Sequence, residues 1–175
     1  MPGPAPLQLR PLTPEDAAPF AALRLRGLRE CPEAFSSSYD EEAATPLSDF
    51  ERRLQPQAGR AVLGALQGGT LIGTVGIKRE DMRQLSHKAF LWGVYVAPEA
   101  RQQGVGRALL RYALQYAADP LGVRQVNLGV TASNTAAVEL YRALGFVTYG
   151  VERDYLCVDG RYHDEYQMAC RVRAA

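Results

Sequence analysis

The sequence predicts an α/β (α+β) protein built on one mixed, mostly antiparallel central sheet with helices packed against it. Two observations carry that expectation. Strand-like runs are joined by two-residue turn signals: Gly68-Gly69 links 60–66 to 70–79, and Asp159-Gly160 links 146–158 to 162–168. Such connections make antiparallel hairpins. In the middle of the chain, an apolar run from Phe90 to Val96 is followed by a glycine-bearing turn, a helical pattern and an alternating run from Val123 to Val130. Strand, helix, strand implies a right-handed parallel crossover.

A length of 175 residues suits one domain with a substantial core. Hydrophobic residues at 47% and charged residues at 22% fit a soluble globular chain. A net charge of +1 gives no electrostatic case for nucleic acid or a membrane as main partner. Cys31, Cys157 and Cys170 are too scattered for a disulfide framework or a zinc site, and His87 and His163 add no metal spacing. With no signal-peptide pattern at the N-terminus and no long apolar run, the expected location is cytoplasmic.

Taken in order, residues 1–6 are proline-rich and expected to be flexible, and 7–173 form the expected domain. Leu7 to Arg10 alternates as a first strand. Thr13-Pro14-Glu15-Asp16 is a helix start: a capping threonine, proline in the first turn, then acids near the dipole's positive end. That helix should bury Phe20, Leu23, Leu25 and Leu28 and stop before Pro32. A second helix is expected near Pro46 or Ser48, with Ser48 and Glu51 as a capping box and Phe50 and Leu54 inward. The hairpin 60–79 has two glycines in its second arm, Gly73 and Gly76, as in a closely packed strand. Glu80 to Lys88 is polar and connects to the strand Ala89 to Val96. After the crossover, Thr135 to Leu144 reads as a short helix closed by Gly145. The final hairpin completes the sheet.

The glycine turn carries the chemistry. Arg101-Gln102-Gln103-Gly104-Val105-Gly106-Arg107 lies between a strand and a helix whose Ala108, Leu109, Leu110, Ala113 and Leu114 recur at helical spacing. The first turn of a helix presents N–H groups without internal partners, so an anion there meets several donors. Glycine lets the main chain approach phosphate oxygens closely. No Gly-Lys-Ser/Thr follows, which excludes a nucleotide P-loop, and the three-glycine dinucleotide fingerprint is absent.

Arg101, Gly104 and Gly106 after a Val-Tyr-Val strand resemble the acetyl-CoA signature of the GNAT superfamily of N-acyltransferases, as a small single-domain bacterial-type member. Gln102 stands where that signature usually has glycine. A second block strengthens the resemblance: Asn134, Ala137, Leu140-Tyr141 and Gly145-Phe146 follow the family's later motif, and the matched blocks and element order span roughly residues 60–170.

The resemblance implies about seven strands and about four helices, with the parallel strands ending near Val96 and Val130 splayed apart. It implies acetyl-CoA as acyl donor, no metal, and direct attack by an amine in a ternary complex. The pyrophosphate would meet Arg101, Gln102, Gln103, Gly104, Val105, Gly106 and Arg107. Main-chain groups of Val94, Tyr95 and Val96 would bond the pantetheine arm, with an N–H near Val94 or Tyr95 facing the thioester oxygen. Asn134 would bond the arm, or simply cap its helix. Tyr141 would protonate the departing thiolate.

The resemblance leaves the general base open among Glu33, Glu80, Asp81, His87 and Asp164. Tyr39, Tyr95, Tyr149 and Tyr155 can line the acceptor side or pack. The acids Glu33, Asp40, Glu41 and Glu42 favour a small cationic amine over a protein N-terminus as acceptor. A non-catalytic acyl-CoA-binding or sensing domain is the alternative reading. The terminal hairpin offers an edge strand for a homodimer.

Overall fold

The computed structural model describes residues 5–172. Of the expected flexible stretch 1–6, residues 1–4 lie outside the described residues, as does residue 173 at the far end. Seven strands form one sheet in the order β1-β2-β3-β4-β5-β7-β6. They are β1 Leu7–Pro11, β2 Arg60–Gln67, β3 Thr70–Arg79, β4 Lys88–Val96, β5 Gln125–Thr131, β6 Val147–Val158 and β7 Arg161–Arg171. All neighbours pair antiparallel except β4 and β5, which are parallel. Among the described residues there are five α-helices: α1 Ala17–Glu30, α2 Tyr39–Ala43, α3 Leu47–Arg53, α4 Val105–Ala118 and α5 Thr135–Ala143.

The turns form as their residues dictate. Gly68 and Gly69 both have positive φ, at 57° and 81°, as do Asp159 and Gly160 at 48° and 75°. Those values match the turn twist that joins antiparallel strands without splaying them. At the other end of the chain, Thr13 opens a 3₁₀ turn, Pro14–Asp16, that runs into α1. The Asp16 carboxylate accepts from the Thr13 amide at 2.8 Å and is gripped by Arg10 at 2.7 and 2.8 Å. The Arg10 hydrogen bonds hold that carboxyl down at about 2. Pro19 falls in the first turn of α1, where no helical amide is needed, so it breaks nothing.

Helices cover both faces of the sheet. One face buries Leu109, Leu110 and Ala113 of α4 and Val138 and Tyr141 of α5 against Val75, Ile77, Leu91, Val126, Leu128 and Met168. The other buries Phe20, Leu23 and Leu28 of α1 and Phe50 of α3 against Val62, Leu66, Leu71 and Tyr95. Phe20 and Phe50 meet edge to face at 6.0 Å, which ties α1 to α3.

The region between α1 and β2 differs from expectation. Two helices occupy it. The capping box is Ser38 with Glu41: the Ser38 amide donates to Glu41 Oε2 at 2.7 Å, and Ser38 Oγ accepts from the Glu41 amide. Ser48 lies inside α3, whose N-cap is Pro46. Both serines have glutamate three residues on, and sequence spacing does not distinguish them.

Candidate active site

Pairing between β4 and β5 begins at Lys88↔Gln125 and ends at Phe90↔Asn127. Beyond that point β4 continues through 91–96 and β5 through 128–131 with no bonds between them. β5 keeps its other edge fully paired with β7, from Gln125↔Arg171 to Thr131↔Glu165. β4 bends away at a bulge: Gly76↔Trp92 and Thr74↔Tyr95 leave Gly93 and Val94 opposite Val75 alone, and Gly93 takes φ +61°. A glycine at positive φ is what such a bulge uses. The result is a slot that widens toward the C-terminal ends of the two strands.

Backbone register decides which groups face the slot. The Ala97 amide donates to the Ile72 carbonyl at 2.9 Å. Antiparallel alternation then points the main-chain groups of Tyr95 to β3 and those of Val96 into the slot. The Val96 carbonyl accepts from Arg101 Nε at 2.9 Å. Val94 belongs to the bulge. Of the three expected main-chain positions, the register turns Val96 to the slot, and Val94 lies in the bulge beside it. Tyr95 serves through its ring, packed on Gly27 of α1 and under the Arg101 guanidinium at 5.5 Å.

The glycine turn lies at the slot's mouth. Gln102 and Gly104 take φ of +61° and +79°, and Gly104 is the N-cap of α4. No acceptor among the described residues meets the N–H groups of Gly104, Val105, Gly106 or Arg107. Nothing lies within 4 Å of where a Gly104 side chain would start. This is an open cradle at a helix N-terminus, built for an anion. Gln103 Nε2 donates to the Glu99 carbonyl at 2.9 Å, which steadies the turn from below. A chain of contacts fixes it to α1: Arg26 grips Glu99 at 2.8 and 2.9 Å and Glu30 at 2.8 Å, and the Tyr95 hydroxyl donates to Glu30 at 2.6 Å. Burial, then the Glu30 bond, pushes the Tyr95 hydroxyl's pKa well up, so it remains a donor.

Across the slot, Asn134 caps α5, its Oδ1 accepting from the Ala137 amide at 3.3 Å. That satisfies the capping role and leaves its NH₂ free of bonds among the described residues. Tyr141 is 6% exposed and packs edge to face on Phe146 at 5.7 Å. Its hydroxyl has no hydrogen-bond partner among the described residues, and burial pushes its pKa up. At neutral pH it holds its proton.

Distances along the sheet sort the expected bases. Glu80, Asp81 and His87 precede β4 and sit at its far end, with Asp81 paired to Lys78 at 2.6 Å. At about 3.3 Å per residue, the length of β4 separates them from Val96 by roughly 25–30 Å. They are not at this site. Glu33 and Asp164 are at the right end: the Glu33 carbonyl accepts from Thr131 Oγ1 at 2.5 Å, and the Asp164 carbonyl accepts from the Ala132 amide. The Asp164 carboxylate is engaged, taking the Asp154 amide at 3.0 Å and Arg153 at 2.6 Å, which hold its pKa down. Ser36 and Tyr155 hydroxyls meet at 2.9 Å, closing the α1–α2 segment against the β6–β7 hairpin. Arg29 lies over the Tyr39 ring at 4.3 Å, and Tyr149 is exposed.

Two of the four acids expected to attract a cation have structural duties. Glu42 is buried and held by Arg24 at 2.8 Å and Arg53 at 3.1 Å; Glu41 caps α2. One carboxylate passed over as a base is also present. Glu165, on β7 opposite Thr131, lays its side chain over Gly129 of β5. Alternation in the 123–130 run and the pairing of two distant strands, taken together, are the signal that would have found it.

An interrupted parallel pair, a bulge on one edge and a helix N-terminus with free amides define a protein that binds an extended acyl-carrying thiol ending in a diphosphate. The slot and cradle fit coenzyme A, and no group of three or more metal-ligand side chains is found among the described residues. The comparisons agree. Residues 25–146 match the model of the acetyltransferase (GNAT) family, and the chain belongs to that family. It is 35% identical over 149 residues to the N-alpha-acetyltransferase RimI of Mycobacterium tuberculosis, covering 85% of this chain and 89% of that protein. Among solved structures, the GNAT acetyltransferase of Streptococcus pneumoniae superposes with a TM-score of 0.87 at 26% identity, over 95% of this chain and 99% of that one. The yncA structure from Salmonella typhimurium, solved with its cofactor acetyl-CoA, has a TM-score of 0.80 at 19% identity, over 98% of this chain and 96% of that one, a likeness of fold. The chain is thus an acetyl-CoA-dependent N-acetyltransferase by family.

Proposed function

We propose that this chain acetylates the α-amino group of an amino acid or peptide by direct attack in a ternary complex, with Tyr141 as the proton donor to the leaving thiolate. The observation that carries the reading is the slot: β4 and β5 separate after Phe90↔Asn127, and the amides of 104–107 stand free at its mouth. Val94 and Val96 would hold the pantetheine arm, joined by Asn134. Arg101, Gln102, Gln103, Gly104, Val105, Gly106 and Arg107 would hold the diphosphate. Acetyl-CoA, when bound, supplies an activated acetyl carbon.

The chain's own residues manage protons. Tyr141 faces the side of the sheet where α4 and α5 pack. Burial that raises the tyrosine would raise a thiolate's basicity too, which keeps the mismatch between them close to its value in water. The acceptor reading departs from the small cationic amine favoured by sequence, because Glu41 and Glu42 are committed elsewhere. A peptide's α-amino group also needs less help. With a pKa of about 7.7–8.0, roughly one molecule in ten is neutral at pH 7, against fewer than about one in a thousand for a lysine-like amine. The similarity to an N-alpha-acetyltransferase points the same way. A cytoplasmic setting is proposed with this reading, and a dimer through β6 is compatible with the exposed Val147, Tyr149 and Val151 on that edge strand.

The test is thiol release from acetyl-CoA with a panel of alanine-starting peptides, free amino acids and polyamines, repeated with Tyr141→Phe. Turnover with α-amines, slowed by Tyr141→Phe without weaker acetyl-CoA binding, supports the assignment. Binding with no turnover on any amine would favour the sensing domain instead. Unaltered turnover in Tyr141→Phe would remove that residue from the acid role.

A further inference from the structure

We infer that Glu165 is the general base, receiving the amine's proton on the face of the slot opposite Tyr141. The inference rests on the acetyltransferase reading above and supplies the group that reading lacks.

Strand alternation sets the geometry. On β5, Leu128 and Val130 point into the core that holds Tyr141. Gly129, between them, must point to the other face, toward α1–α3. There the Glu165 carboxylate occupies the place a side chain at 129 would take. A Cβ on Gly129 would lie 2.2 Å from Oε1, 2.4 Å from Cδ and 2.8 Å from Oε2. Gly129 is past Asn127, where β4 and β5 part, so the carboxylate lies at the slot rather than over closed sheet. The missing side chain at 129 is what lets a residue of β7 reach across to the slot-lining strand.

The carboxylate is held in place but not used up. Gln167 Nε2 donates to Oε1 at 2.7 Å, and Oε2 accepts no bond among the described residues. A free oxygen beside a fixed one is what a base needs. Partial burial, and secondarily the facing Glu152 carboxylate on β6, raise its affinity for protons against the pull of Gln167. Of the carboxylates among the described residues whose protonation is shifted, it alone is shifted upward; those of Asp16, Glu30, Glu41, Glu42, Glu99 and Asp164 are held down.

The proton balance closes across the two faces. An ammonium arriving from the α1–α3 side gives one proton to Glu165 Oε2. The freed nitrogen lone pair forms the C–N bond as the C–S bond breaks. Tyr141 gives its proton to the sulfur. The second nitrogen proton, shed as the amide forms, returns through solvent to the tyrosinate, and Glu165 releases its proton to water. The products are amide, thiol and one proton.

The experiment compares wild type with Glu165→Gln, on the α-amine peptide that wild type acetylates fastest and on methoxyamine, a weakly basic amine already neutral at neutral pH. Glu165→Gln keeps the shape and the position beside Gln167. The expected result is a loss in kcat of about 100-fold or more on the peptide, with little loss on methoxyamine and unchanged acetyl-CoA binding by calorimetry. Gly129→Ala serves as a second variant: its methyl displaces the carboxylate without removing it, and the same selective loss is expected. Undiminished peptide turnover in Glu165→Gln, or an equal loss on both amines, would overturn the base assignment while leaving acetyl transfer standing. If wild type released no thiol with any amine, the acetyltransferase reading would fall first and this one with it.

Discussion

Gly104 and Gly106 belong to one signature, yet their surroundings separate them. Gly104 has φ +79° and nothing within 4 Å of the point where a side chain would begin, so Gly104→Ala meets no steric obstacle and only backbone strain. An L-residue in that region costs roughly 1–2 kcal/mol. For a chain of this size, that lowers Tm by about 2–8 °C. If the turn relieves the strain by leaving the left-handed region, the free amides diverge, and each 1.4 kcal/mol so lost weakens acetyl-CoA binding about tenfold.

Gly106 is helical, and a methyl there would meet Leu140 and Val96 at 3.6 and 3.7 Å, ordinary contact pointing away from the cradle. Alanine is the better helix former by up to about 1 kcal/mol, so Gly106→Ala should leave Tm unchanged or raise it slightly and leave binding intact. Thermal melts and calorimetric titration with acetyl-CoA measure both. Equal losses for the two variants, or the larger loss at Gly106, would refute the reading of the turn.

Other expectations concern the scaffold. Glu42 has its carboxyl held at about 2: burial opposes this, and Arg24, then Arg53, override it. The folded value lies below the ordinary 4.5, so the stabilisation is complete above pH 4.5 and lost as pH falls through about 2. The shift corresponds to about 3 kcal/mol, and an acid denaturation series on wild type against Glu42→Gln should show that slope vanish in the variant. The variant itself should lose about 3–5 kcal/mol in urea unfolding at neutral pH, since Arg24 is left buried with its partner's charge gone. Gly76→Ala would put a methyl 2.0 Å from the Trp92 ring across the β3–β4 pair. Overpacking there should cost about 1–3 kcal/mol or more, read as a lowered urea midpoint with a changed tryptophan fluorescence.

What was legible in the sequence was local. The turn pairs Gly68-Gly69 and Asp159-Gly160, the strand–glycine–helix run and the Asn134 to Phe146 block each carry their conformation within a few residues, and the structure has them in those places. The two capping boxes were equivalent on paper; packing chose Ser38, because α2 then delivers Glu42 to Arg24 and Arg53. Three of the five candidate bases are set aside for a geometric reason. Glu80, Asp81 and His87 are near the slot in sequence, but β4 carries the chain a strand's length away from them. Glu165 is distant in sequence from the slot and adjacent in space, because β7 inserts between β5 and β6. Only the pairing register reveals that its side chain takes the room Gly129 leaves.

That insertion gives one strand two separate faces beside the slot. Were β5 paired along its whole length on both edges, its backbone groups would be consumed. Here β7 satisfies one edge of β5 down to Thr131 while the bulge at Gly93 draws β4 off the other. The strand stays rigid with a free edge. Its period of two then assigns the faces: Leu128 and Val130 press toward Tyr141 in the core, and Gly129 opens toward the half-buried Glu165. The proposed donor, kept protonated by burial, and the proposed acceptor, raised by partial burial, thus lie on opposite faces of β5.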